Sequence, residues 1–64
     1  MKDKEVLISR LRQLLAADKN AVGIYSDLEK SIDETSLKGK LADLVNDEKR
    51  HCVLIEKALS LLEE

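Results

Sequence analysis

A chain of 64 residues, 44% of them apolar, suffices for one small domain over residues 1–64 with a narrow hydrophobic seam, but is thin for a self-contained core. Thirteen acidic against eleven basic residues give a formal charge of −2, and no face or tail is dominated by Lys and Arg, which argues against nucleic acid as a partner. No proline, two glycines and a single aromatic exclude an all-β fold, and one cysteine excludes both an internal disulfide and a Cys-x-x-Cys pair. With no disulfide to staple it, so short a chain is expected to complete its core with a bound metal or by self-association.

The twelve leucines, interleaved with Lys, Glu, Asp and Arg, predict long amphipathic helices. In the first, over about 3–32, Leu7, Leu11, Leu14, Asp18, Ala21, Tyr25, Leu28 and Ile32 recur at alternating steps of four and three, a heptad seam. Next comes Asp33-Glu34-Thr35-Ser36, where Asp33, Thr35 or Ser36 is expected to cap the next helix. The second helix, over about 36–63, repeats the rhythm in Leu41, Val45, Glu48, Cys52, Ile55, Leu59 and Leu62. Its stripe is widened by Leu37, Leu44, His51, Ala58 and Leu61. So short a connection predicts an antiparallel helical hairpin, and stripes wider than one seam predict that two hairpins pair into a four-helix bundle.

No run approaches the ~20 apolar residues that a membrane span requires. Met1–Arg12 also lacks the pattern of a targeting peptide, so a cytoplasmic, reducing setting is expected.

Asp18 and Glu48 stand where seam positions ordinarily hold leucine, with His51 beside the latter. A carboxylate in an apolar seam is costly unless it is paired or metal-bound. With the turn centred between Glu34 and Thr35, Asp18 and His51 are equally far from it, and Glu48 is three residues nearer, about 4.5 Å along the axis. All three can therefore share a layer. Glu48 and His51, three residues apart, project onto the same helix face as a Glu-x-x-His pair. One chain offers two carboxylates and one imidazole, and a twofold dimer doubles this to four and two. That is the ligand plan of carboxylate-bridged di-iron and di-manganese centres. Oxygen-rich ligation with few imidazoles suits iron or manganese, whereas structural zinc more often takes thiolates.

Asp18-x-x-Ala21-x-x-x-Tyr25 on the first helix and Glu48-x-x-His51 on the second together resemble the ferritin-like superfamily, specifically a rubrerythrin-type half-bundle. There the first motif reads Glu-x-x-Ala-x-x-x-Tyr, and the resemblance covers roughly Leu14 to Leu62. It implies that Glu48 bridges two metals and His51 is a terminal ligand, that Asp18 replaces the first-helix glutamate, and that Tyr25 donates a hydrogen bond near the site. It further implies oxidation of ferrous iron, or reduction of peroxide or dioxygen, in a homodimer or a larger assembly of such dimers. Asp18 is one methylene shorter than glutamate, withdrawing its oxygens by about 1.5 Å. The chain has no Cys-x-x-Cys pair of a rubredoxin module, so a redox cycle would draw on an external electron donor.

The competing reading is a metal-free module for dimerisation or partner binding, in which Asp18, Glu48 and His51 form a buried polar layer that fixes register. Tyr25 then reads as a core aromatic and Cys52 as a small buried hydrophobe, while Gly23 reads as a place where another helix comes close. No phosphate-binding glycine loop, nucleophile-and-base set or cationic membrane-surface helix is present in the sequence.

Overall fold

A computed structural model, describing Lys2–Glu64, consists of two helices, α1 (Lys2–Ser31) and α2 (Thr35–Leu62). They pack as an antiparallel hairpin of 50 × 14 × 12 Å, so the chain is all-α as its periodicity requires. Each helix begins and ends one residue earlier than the sequence pattern predicts. No helix among the described residues is long and apolar enough to cross a membrane.

The cap of α2 differs from expectation. Glu34, not Asp33, Thr35 or Ser36, is the N-cap residue, in an extended conformation at φ −70°, ψ 120°. Its carbonyl accepts the Lys38 N–H at 3.0 Å, and Ser36 Oγ donates to the Glu34 carboxylate. No side chain caps the free N–H groups of the first turn, so this end of α2 is satisfied by the backbone and by solvent. At the other end the Glu63 N–H donates to the Leu59 carbonyl at 2.9 Å.

The connection is only Ile32-Asp33-Glu34, which centres the turn on Asp33. Asp18 and Glu48 each lie fifteen residues from that centre and so face each other at one level; His51 lies three residues farther on. This corrects the expected turn centre, which put His51 level with Asp18.

Val45, Cys52, Ile55 and Leu59 of α2 form the buried core, and α1 has no fully buried residue. Against this core α1 lays Ile8, Leu11, Leu15, Val22 and Tyr25, all half-buried. The seam read from the sequence is therefore rotated: Leu7, Leu14 and Leu28, expected to face α2, are 47%, 49% and 43% exposed. Three rows run along α1: Leu11, Asp18 and Tyr25 hold the middle, and of the two rows that flank it Ile8, Leu15 and Val22, not Leu7, Leu14 and Leu28, close against α2.

The displaced row does not point at random. Leu7, Leu14, Ala21 and Leu28 recur every seven residues along α1, and Leu37, Leu44, His51 and Ala58 do so along α2. Leu14 and His51 line one groove together, with Leu54 beside them, so both rows open on the same side of the hairpin. The opposite side is polar, with Arg12 reaching Glu63 across the helices at 2.5 Å.

Exposure on this scale is unusual. Folded monomers of 7.2 kDa present about 4,100 Å² of surface by size scaling, whereas this hairpin presents 4977 Å². Gly23 also departs from expectation, since no helix comes close to it: a Cβ there would meet nothing within 4 Å, and the same holds at Gly39.

Candidate metal centre

Asp18 sits at the middle of α1 and Glu48 at the middle of α2, both half-buried in the central row of their helix. His51 is one turn beyond Glu48 on the rim of the open face, with its side chain 58% exposed. One ligand atom from each of the three lies within 4.8 Å of the others. The structure thus brings together all three residues that the sequence singles out as metal ligands. It adds no fourth: theirs is the one His/Cys/Asp/Glu cluster of metal-binding spacing among the described residues.

Electrostatics make the cluster an unsettled one. Glu48 Oε2 is buried without a hydrogen-bond partner, while Oε1 stands 3.8 Å from His51 Nδ1, beyond hydrogen-bonding distance. Desolvation holds the Glu48 carboxyl above its ordinary pKa. The facing Asp18 pushes the same way by its closeness and like charge, as does Asp47 more weakly, and His51 opposes them. Two carboxylates therefore meet in a half-dry seam with no Lys or Arg paired to either; Arg50, the nearest guanidinium in sequence, is taken by Asp47 at 2.5 Å. A cation is the partner that such a set lacks.

The spacing suits one. Ligand atoms bound octahedrally to a single ion at about 2.1 Å stand about 3.0 Å apart when adjacent and about 4.2 Å when opposite, and the three atoms, all within 4.8 Å of one another, lie close to that range. One protein chain fills three positions, which leaves room for a second ligand set.

A shallow groove of about 320 Å³ lined by Leu14, Asp18, His51, Leu54 and Ile55 leads to the cluster from the open face. A larger groove of about 510 Å³ along α1 has Glu5 and Arg12 as its ionisable residues and no ligand set. Tyr25 is half-buried one heptad from Asp18 in the same row. Cys52 is a buried free thiol one residue past His51 and is absent from the cluster.

No protein-family model matches the chain, and neither a curated protein nor a solved structure matches it significantly.

Proposed function

We propose that this hairpin is one half of a ferritin-like di-metal carboxylate centre. Two copies join through their leucine-lined faces into a four-helix bundle and hold iron or manganese on Asp18, Glu48 and His51 of both chains. The observation that carries this reading is the buried, unpartnered Glu48 Oε2 facing Asp18 and His51.

Glu48 and His51 from α2 and Asp18 from α1 would hold the metal, and Tyr25, one heptad along α1, would supply a hydrogen-bond donor. Ferrous iron is the substrate, reached through the groove at Leu14 and Leu54: two ferrous ions would give two electrons, taken up with two protons, to dioxygen, which leaves as hydrogen peroxide, or to hydrogen peroxide, which leaves as two waters, and both irons leave as ferric ions. A bound metal pair supplies Lewis acidity and redox capacity. The chain itself supplies negative charge that favours the higher oxidation state, and an apolar wall that limits water. Where manganese or iron stays resident, turnover draws on an external electron donor. A reducing intracellular setting, which keeps iron ferrous and Cys52 a thiol, accords with this role.

The test is elemental analysis with solution mass, before and after anaerobic exposure to ferrous iron. About one metal per chain in a dimer or a multiple of dimers is the expected result, after which oxidation by dioxygen is followed optically. A stable dimer that retains neither iron, manganese nor zinc would overturn the proposal and leave the polar layer as a device for specifying assembly.

A further inference from the structure

The open face has a defined centre. Leu14, Leu28, Leu37, Leu44, Leu54 and Leu61, 42–69% exposed, run the length of the hairpin. The hairpin as a whole exposes about 850 Å² more than a compact monomer of its mass, an excess on the scale of the ~800 Å² that each partner buries in a standard protein interface. A second copy brings its own leucine rows as the matching apolar surface. The middle of the stripe falls at the level of Asp18 and Glu48, so a twofold axis there would lay the two stripes along each other and set the two ligand clusters face to face.

That centre is the one part of the face unsuited to closure on its own. His51 stands among the leucines, and beside it are two carboxylates with no Lys or Arg partner. Closing the face would gather four carboxylates and two imidazoles into a volume stripped of water, where unpaired charge is expensive. A divalent cation turns the same closure from repulsion to attraction.

Resting on the di-metal reading above, we propose that the cation controls the pairing of the chains. The leucine face favours dimerisation, the carboxylate cluster opposes it, and metal bound between the two copies of Asp18, Glu48 and His51 removes the opposition. Metal binding and dimerisation are then one linked equilibrium, and each strengthens the other by the same factor.

Sedimentation equilibrium of the full chain, in chelator and then in anaerobic Mn²⁺, tests this, with Mn²⁺ retention measured in parallel by equilibrium dialysis. Mn²⁺ is expected to lower the dimer Kd by at least about tenfold, within the ordinary range of allosteric coupling. Glu48→Leu is expected to dimerise tightly without Mn²⁺ and to ignore it. His51→Ala, altered at an exposed position that the fold tolerates, is expected to keep the weak metal-free dimer and lose most of the response. Retention of Mn²⁺ with an unchanged dimer Kd overturns the linkage while leaving the metal centre standing. Retention of neither Mn²⁺ nor Fe²⁺ at any chain concentration overturns the metal centre and the linkage together. A chain that stays monomeric with Mn²⁺ bound assigns the leucine face to a different protein and overturns the pairing.

Discussion

Replacing Gly23 by alanine separates intrinsic helix energetics from contacts with a second chain. Gly23 lies within α1, a helix of thirty residues with none fully buried, so its stability leans on backbone propensity more than that of a core helix does. Alanine is about 1 kcal/mol better than glycine in a helix interior. The added Cβ meets nothing within 4 Å, and no glycine has a positive φ, so neither clash nor backbone strain subtracts from that gain. For a domain of this size 1 kcal/mol corresponds to about 4–8 °C in Tm. Gly39, equally unobstructed near the start of α2, shares no neighbour with Gly23, and the double variant should gain about 2 kcal/mol or about 8–16 °C. Thermal melts followed by far-ultraviolet circular dichroism, at one fixed chain concentration and without metal, measure both. A lower Tm for Gly23→Ala would refute the reasoning, because it would mean that another body packs against this glycine in solution and that the outer side of α1, not the leucine face, is the interface.

Glu48, whose carboxyl is held above the ordinary value of 4.5 by desolvation and by Asp18, should make metal-free stability pH-dependent. A raised carboxyl contributes stability that is fully present below the ordinary value and is lost as pH rises through the raised one. Urea titrations across that interval should show a decline that Glu48→Gln flattens, and an equal slope in both proteins would contradict the assignment. Leu59→Ala, at a position 8% exposed in a core of four residues, should cost about 2–5 kcal/mol. That is comparable to the whole stability of a small domain, so the metal-free chain should lose its cooperative thermal transition. Arg12→Ala should cost no more than about 1 kcal/mol, because the Arg12–Glu63 pair is 64% and 42% exposed; a larger drop in urea midpoint would show that this pair is shielded in solution.

The two helices and the three clustered residues are legible in the sequence for a common reason. A seam position can be recognised from spacing alone, and a carboxylate in such a position stands out against leucine. Which apolar row of α1 faces α2 is not legible, because Leu7-Leu14-Leu28 and Ile8-Leu15-Val22 flank Asp18 symmetrically at one heptad spacing. Their roles are divided by packing between helices, which a single helix's pattern does not contain. The turn shows a similar degeneracy. Every residue from Asp33 to Ser36 is polar, the three expected caps all lost to Glu34, and placing the centre one and a half residues too late exchanges Glu48 for His51 as the partner level with Asp18. The cluster survived that error because Glu48 and His51 are less than one helical turn apart, and either register brings both within reach of α1.

The three-residue connection also sets an order of events. Residues meet across the hairpin when they are equally far from Asp33, so contacts closest to the loop span the shortest stretches of chain and close first. Assembly then proceeds as a zipper from Ile32 toward the chain ends, a low-contact-order route that takes microseconds to milliseconds. Tyr25 and Leu41 come together early, Asp18 meets Glu48 at the midpoint, and Leu11 reaches Ile55 afterwards. The charged pair is thus a step partway up the zipper, crossed only when the apolar contacts beyond it begin to form. Stiffening the loop hastens the first half of folding, whereas neutralising Glu48 hastens the second.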